Sequence, residues 1–174
     1  LPYGALELVI DLQPGPRRLF DSEDYTRFVN YRRSWISGAQ SEFLVIEAAE
    51  NSSMMGVHFK PGGAHPFFEF PITELQDSVI ELEAIWGSAS IRLRDQLLEL
   101  PEPMDKFRVL ERFLLQHARQ SLRPDRAVAF ALGEFEVMPH AQTIHGVAER
   151  LGVSHKHLIE EFGKWVGLTP KLFC

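Results

Sequence analysis

Alternating apolar and polar residues near the start of the chain predict a β-strand. Over residues 5–12, Leu6, Leu8 and Ile10 occupy every second position, which is the period of a strand with one buried face. The sequence Gln-Pro-Gly-Pro at 13–16 then breaks the pattern, because proline and glycine favour turns. A half-buried strand is therefore expected over 5–12.

Two further segments have the character of β-strands. Residues 43–48 are apolar and rich in branched side chains, and residues 54–60 alternate until Pro61. The polar residues 51–53 between them are typical of a turn, so we expect the two segments to pair as a hairpin. The side chains expected on one face of 54–60 are those of Met55, Val57 and Phe59.

From residue 71 onward the apolar spacing changes to the three- and four-residue period of helices. The acidic, irregular residues 72–86 predict a short helix and a loop, and residues 91–100 predict a clearer helix. Residues 104–118 carry one apolar stripe. The polar residues 121–126 are the expected linker.

Two short amphipathic helices with a tight joint are predicted after an apolar helix over 127–135. Gly152 stands where the first helix should end in a left-handed conformation, and Ser154 can cap the second. The apolar residues expected to pack between the two helices are Ile144, Val147, Ala148, Leu151, Val153, Leu158, Phe162 and Trp165 or Val166. This is a helix-turn-helix pattern, which either presents its second helix to DNA or simply packs two helices together.

Composition indicates an ordinary soluble globular protein. The 174 residues suffice for one domain, or one domain with a small appendage, at roughly 100 to 200 residues per domain. The longest unbroken apolar run, 127–132, is far shorter than the ~18 residues of a membrane span, and no leader opens the chain. The single cysteine, Cys174, cannot form an internal disulfide, so we expect a cytoplasmic location. The short apolar runs give the expectation of no membrane association.

The charge distribution argues against binding nucleic acid through charge alone. The net charge is -6, and residues 124–174 hold five Lys or Arg against six Asp or Glu. Contacts with DNA phosphates usually leave a basic footprint, and this segment lacks one.

The C-terminal segment nevertheless resembles the first helix-turn-helix of the AraC/XylS family of bacterial transcription regulators. The residues that match the family pattern are Ala148, Leu151, Gly152, Ser154, Leu158, Phe162, Gly167 and Pro170. Residues 2–12, 56–63 and 81–87 resemble more weakly the β-rich N-terminal domain of one branch of the family.

The resemblance implies an α+β protein in three parts. Residues 1–103 would be a β-rich, cupin-like domain that senses a small molecule or dimerises, 104–123 a bridging helix and linker, and 124–174 the first half of an AraC-type DNA-binding domain. The family's second helix-turn-helix has no counterpart in this sequence, so we expect the chain to be a fragment whose complete protein binds DNA.

The resemblance also assigns base contacts to the second helix of the pair. The family's positions fall on Lys156, Ile159 and Glu160, with His155 and His157 beside them. Lysine can donate to guanine, glutamate can accept from the cytosine amino group, and isoleucine offers apolar contact to a thymine methyl.

Other chemistry is less well supported. Cupin enzymes bind metals through His and Glu, which draws attention to His58, His65 and Glu69, but the paired His-x-His of those enzymes is absent. His155 and His157 project about 200° apart on a helix and cannot share a metal by themselves. We expect no enzyme activity, no catalytic residue, no metal and no cofactor.

Two apolar sets remain open to interpretation. Five aromatic residues either line an effector pocket or belong to the core, so no ligand-binding residue is assigned: Trp35, Phe67, Phe68, Phe70 and Trp86. The stripe on 104–118 either forms a homodimer surface or packs on its own domain. The alternative to a regulator is a cupin-like small-molecule-binding domain, or a degenerate enzyme, whose helical tail mediates assembly.

Overall fold

The computed structural model describes residues 4–40, 42–47, 52–119, 121–137 and 143–174. Antiparallel sheets occupy the N-terminal part and helices follow, so the predicted α+β class is confirmed. The strands are β1 Leu6–Asp11, β2 Pro16–Phe20, β3 Phe28–Arg32, β4 Ser34–Ser37, β5 Val45–Ile46, β6 Met54–Phe59 and β7 Val79–Glu81. The helices are α1 Leu82–Trp86, α2 Ser88–Glu99, α3 Pro103–His117, α4 Arg126–Val137, α5 Ile144–Leu151, α6 His155–Val166 and α7 Pro170–Phe173.

The strands form two small sheets. A four-stranded sheet has the order β6-β1-β4-β7, and a three-stranded sheet has the order β3-β2-β5. The predicted strand at 5–12 is confirmed as β1, which lies in the middle of the larger sheet. Its alternating residues Leu6, Leu8 and Ile10 are at most 1% exposed, because they face the main hydrophobic core.

The predicted hairpin between 43–48 and 54–60 is wrong. β5 pairs with β2, whereas β6 pairs antiparallel with β1, matching Leu8 to Val57 and Ile10 to Met55. This register places the alternating apolar residues of β6 on the same face of the sheet as those of β1. Both sets face the main hydrophobic core, and this common burial favours the pairing of β6 with β1. Turn residues at 52–53 indicated a chain reversal but could not specify which strands it joins.

Helix predictions are correct in type and shifted in their bounds. The helix predicted over 91–100 is α2, which begins earlier, at Ser88, and ends at Glu99. α3 begins with Pro103, a favourable first residue because the first N–H groups of a helix have no partner within it. Within 72–86 the structure contains the 3₁₀ helix Ile72–Leu75, then β7 and α1. The edge strand β7 was missed because it is only three residues long.

Two hydrophobic clusters organise the molecule. The first joins β1, β4 and β6 to α1, α2 and α3 through residues such as Leu82, Leu97 and Leu110. The second is formed by α4, α5 and α6, with α7 packed against it. The predicted domain limits at 103 and 123 remain predictions.

The second half of α6 packs against two 3₁₀ helices of the β-rich part, His65–Phe67 and Ile72–Leu75. The ring of His65 stacks on Trp165 with centroids 4.4 Å apart. Two glycines permit this approach, since a Cβ at Gly163 would lie 3.1 Å from Thr73 Cγ2 and a Cβ at Gly167 would lie 2.8 Å from Ile72 Cγ2.

We predict that Gly167→Ala destabilises the protein more than Gly152→Ala. Both glycines have a positive φ, of 87° and 69°, so each substitution costs about 1 kcal/mol of backbone strain. Only at Gly167 would the added methyl collide with Ile72, which should add about 1–3 kcal/mol of overpacking. Urea unfolding of the two variants measures the difference, and equal losses would contradict the packing of α6 against the β-rich part.

Candidate nucleic-acid interface

A three-residue turn joins α5 to α6, and each helix begins with a side-chain cap. Thr143 Oγ1 accepts a hydrogen bond from the Gly146 N–H at 3.0 Å, and Ser154 Oγ accepts one from the His157 N–H at 3.1 Å. Gly152 closes α5 in the left-handed conformation, as predicted. These local bonds satisfy exposed backbone groups and fix where each helix starts and stops.

Buried side chains set the angle between the two helices. Val147 and Ala148 on α5 and Leu158 and Phe162 on α6 are at most 2% exposed. They join Phe135 of α4 in one cluster, where its ring meets that of Phe162 edge-on at 5.7 Å. The predicted packing stripe is therefore confirmed on both helices.

The five residues predicted to contact DNA lie on the first two turns of α6. His155, Lys156, His157 and Glu160 are exposed, and Ile159 is half-buried. The second half of α6 is mostly buried: Trp165 is 7% and Val166 0% exposed, and the side chain of Lys164 remains partly exposed. The first half of α6 is thus free to meet a partner, while its role in contacting DNA remains a prediction.

Carboxylates lie beside the cations of this surface. Lys156 Nζ is 3.6 Å from Glu160 Oε1, one turn along α6, and both side chains are well exposed. Arg150 donates two hydrogen bonds to Glu134, at 2.6 and 2.9 Å, and this pairing raises the pKa of Arg150. Positive charge on this surface is therefore low for two reasons: the segment has few basic residues, and Lys156 and Arg150 are each paired with a glutamate.

The histidines considered for a metal lie in different surroundings. His58 Nδ1 is 3.3 Å from Glu7 Oε1 on the sheet surface, and Glu69 pairs with Arg119 at 3.4 Å. His65 is 2% exposed and stacks on Trp165. Across the described ranges, no three His, Cys, Asp or Glu residues gather closely enough to hold a metal ion.

Burial changes the chemistry of His65. Its Nδ1 is buried and has no hydrogen-bond partner in the described structure. Removal from water lowers the pKa of His65, and the nearby positive charge of Lys164 lowers it further. Burial between α6 and the β-rich part therefore disfavours protonation of this ring.

The five aromatic residues that could line an effector pocket or belong to the core are divided between two places. Phe68 is a core residue, and Trp86 stacks on it with centroids 5.7 Å apart. Those two line a cleft of about 500 Å³ together with Phe67 and Phe70. Trp35 instead lines a different cavity, between the two sheets.

Sequence reasoning missed the buried ion pair at the edge of that inter-sheet cavity. Arg17 Nε donates to Asp11 Oδ2 at 2.5 Å, and the residues are 5% and 1% exposed. Asp11 is a polar position of the predicted strand 5–12, and Arg17 follows the predicted break at 13–16. The two residues lie on strands of different sheets, β1 and β2, so the packing of the sheets brings them together.

Comparison with known proteins adds one finding about the β-rich part. A family model described as a domain of unknown function, DUF6597, matches residues 1–81. The match ends at the last residue of β7, so it covers both sheets. No curated protein and no solved structure matches the chain.

In the part of the chain that the structure describes, no helix has the length and apolarity required to cross a membrane.

We predict that acidification destabilises the protein through His65. Because the folded-state pKa is lowered from 6.5, the unfolded chain binds the proton more readily. Stability is therefore full above about pH 6.5 and falls as the pH drops toward the folded-state pKa. Urea midpoints measured between pH 7.5 and 5.5 should fall for the natural sequence and much less for His65→Phe.

The matched control is His58→Gln, which removes an exposed histidine and should leave the pH dependence unchanged. An equal fall for His65→Phe and the natural sequence would show that another group is responsible.

Proposed function

We propose that the chain belongs to a bacterial, cytoplasmic transcription regulator of the AraC type that binds a specific DNA site. The observation that carries the proposal is the division of α6. The outer face of its first two turns is exposed, while Leu158 and the second half of the helix pack on α4, α5 and the β-rich part. A recognition helix needs this combination, because base contacts require an exposed face held in one orientation.

The chemistry of the exposed face fits reading of base edges better than general attraction to phosphate. Lys156 offers a donor for guanine and Glu160 an acceptor for the cytosine amino group. Since the two side chains lie 3.6 Å apart, each reduces the other's long-range field. Because few phosphates would be neutralised, we expect weak or undetectable DNA binding by the 174-residue chain alone and specific binding by the complete protein.

Two features support a sensing or dimerising role for the β-rich part. A cavity lies between its sheets. Of the apolar residues of α3, Leu110, Phe113 and Leu114 pack on the core of the chain itself. Met104, Phe107 and Leu115 remain 62%, 51% and 56% exposed. An apolar helix face of this kind supports pairing with a second copy. A ligand would regulate DNA binding only if its affinity differs between two arrangements of the helices.

The alternative is a small-molecule-binding domain or degenerate enzyme whose helical tail serves assembly. The carboxylates paired with Lys156 and Arg150 favour it, because they weaken attraction to DNA. The two proposals differ in whether substitutions on the exposed half of α6 change DNA affinity.

For the DNA test, the protein at its natural length is used to select sequences from a random DNA library by gel shift at low salt. We predict that a specific site is retained, and that Lys156→Glu weakens binding to it by roughly tenfold through loss of one base contact. Glu160→Gln should instead raise affinity for unrelated DNA by about threefold, because it removes a negative charge beside Lys156.

Arg92→Glu is the matched control, since it makes the same change of charge at an exposed position of α2. Its effect on affinity should be much smaller than that of Lys156→Glu. Selection that retains no sequence, or equal losses for the two reversals, would remove the support for the regulator.

For pairing, we predict that the protein sediments as a dimer and that Phe107→Glu converts it to a monomer, because a charge in an apolar interface is costly. Leu122→Glu is the control, as Leu122 is equally exposed at 51% but lies outside α3. Analytical ultracentrifugation distinguishes the outcomes, and a monomeric natural protein would exclude dimerisation through α3.

A further inference from the structure

A cleft of about 470 Å³ lies where the ends of the two sheets approach α2. It is lined by the loop between β1 and β2, by the turn between β3 and β4, and by one side of α2. Three arginines, Arg32, Arg33 and Arg94, belong to its described lining, which includes no acidic residue. The cleft therefore gathers three positive charges in a chain whose net charge is -6.

This arginine cleft is separate from the other sites of the molecule. It shares no described lining residue with the cavity between the two sheets or with the cleft beside Trp86. Leu12, which lines it, follows the last residue of β1, whereas a Cβ added at Gly4, before β1, would lie 2.9 Å from Val166 at the end of α6. The six residues of β1 span roughly 20 Å. The arginine cleft and the last turn of α6 thus lie at opposite ends of β1.

The backbone holds Arg94 in the arginine cleft. Its Nε donates a hydrogen bond to the Asp11 carbonyl at 2.7 Å, and its Nη2 donates to the Gln13 carbonyl at 2.9 Å. Because carbonyl oxygens carry no formal charge, these bonds orient the guanidinium without neutralising it. An anion would therefore meet a cation that is already ordered, and little side-chain entropy would be lost on binding.

Arg33 is the single residue between β3 and β4, and its φ of 61° is uncommon for a residue with a side chain. Its carbonyl accepts a hydrogen bond from the Asp11 N–H at 2.7 Å, which fixes the turn. Arg33 Nη1 donates to Glu83 Oε2 at 2.9 Å, and both side chains are half exposed. A guanidinium has five N–H donors, so this exposed pair leaves Arg33 able to bind an anion as well.

Arg32 has the least compensated charge of the three arginines. Its backbone N–H donates to Glu81 Oε1 at 2.9 Å. Among the described residues, however, Arg33 is the only one of the three arginines that forms an ion pair with a carboxylate. Glu81 and Glu83 lower the positive charge around the turn, but neither lines the cleft. The exposed side chain of Arg32 can therefore bind a ligand without giving up an ion pair.

The number of guanidinium groups favours phosphate over carboxylate. A carboxylate offers two oxygens in one plane, whereas the phosphate of a monoester offers three terminal oxygens that point in different directions. Its second pKa of about 6 leaves it with close to two negative charges at neutral pH. Arginine pairs with phosphate through two parallel N–H donors, so three arginines suit one phosphate group.

Apolar side chains beside the arginines favour an organic phosphate. Leu12, Pro14 and Leu98 also line the cleft, and its volume is in the range typical of small-molecule sites. We propose that the arginine cleft is a binding site for a small organic phosphate monoester, whose phosphate is held by the three arginines. This binding does not depend on contact between α6 and DNA, so either proposal can fail alone.

Four probes test the ligand chemistry on the 174-residue chain in chloride buffer near neutral pH, with ¹H–¹⁵N NMR to locate the binding. Phenyl phosphate should saturate the protein and shift the backbone N–H signals of Gly15 and Arg33. Methyl phenyl phosphate, a diester like the phosphates of nucleic acid, has only one negative charge, and benzoate has two oxygens in one plane. Each should bind about tenfold more weakly. Inorganic phosphate, which has no apolar group, should also bind about tenfold more weakly.

Substitution of Arg32 tests the site without disturbing the turn. Arg32→Gln should lower affinity for phenyl phosphate about tenfold because it removes a charged donor, while the bond to Glu81 is made by the backbone. Arg92→Gln is the matched control, since Arg92 is exposed on the same helix as Arg94 but does not line the cleft. Its affinity should change by less than about twofold, because solvent and salt screen a distant charge.

Arg33→Gly separates loss of binding from loss of folding. It removes a second guanidinium from the cleft, but glycine permits the positive φ at this position. Affinity for phenyl phosphate should therefore fall about tenfold, while the urea unfolding midpoint stays the same or rises.

Any of four results would overturn the proposal. They are failure of phenyl phosphate to saturate the natural chain, equally tight binding of any of the other three probes, equal loss of affinity in Arg32→Gln and Arg92→Gln, and full affinity in folded Arg33→Gly.

Discussion

The packing of α6 against the 3₁₀ helices of the β-rich part is the contact on which the rest of the arrangement depends. Gly163 and Gly167 let the helix approach Thr73 and Ile72 closely, and Trp165 covers the buried ring of His65. Because this contact uses only the second half of α6, the first half stays in solvent without being loose. A helix buried along its whole length could not present Lys156, and one that touched only α5 would be less firmly oriented.

The four-stranded sheet connects the other features because its two faces serve different purposes. One face closes the core with α1–α3, and the other lines the inter-sheet cavity. Asp11, at the end of β1, links these layers directly. Its carboxylate holds Arg17 at the cavity, and its carbonyl accepts a hydrogen bond from Arg94 of α2 at 2.7 Å. Arg17 and α2 are therefore connected through a single residue, Asp11.

Local patterns predicted those parts of the structure that local interactions determine. The alternation of Leu6, Leu8 and Ile10 predicted a strand correctly. Gly152 and Ser154 predicted the turn between α5 and α6, because turns and caps depend on a few adjacent residues. The partner of β6 could not be read in the same way, since it depends on which distant strand shares its buried face. For the same reason the sequence did not reveal the pairing of Arg17 with Asp11, the cavity beside it, or the stacking of His65 on Trp165. The exposed residues of α6 could be located from the helical period and the resemblance together. The pairing of Lys156 with Glu160 and of Arg150 with Glu134 is seen only in the structure.

The position of β1 has a consequence for how the protein forms during synthesis. Both neighbours of β1 in the sheet, β4 and β6, come later in the chain, and its pairing partner Phe59 is more than fifty residues downstream of Leu6. Such distant contacts are slow to close. During synthesis, β1 therefore has two unpaired edges until β4 emerges and one unpaired edge until β6 emerges. The helices α4 to α6, in contrast, find partners close by in sequence. We expect the vulnerable stage of synthesis to lie in this early interval, when nascent β1 depends on chaperones or on rapid elongation to escape aggregation.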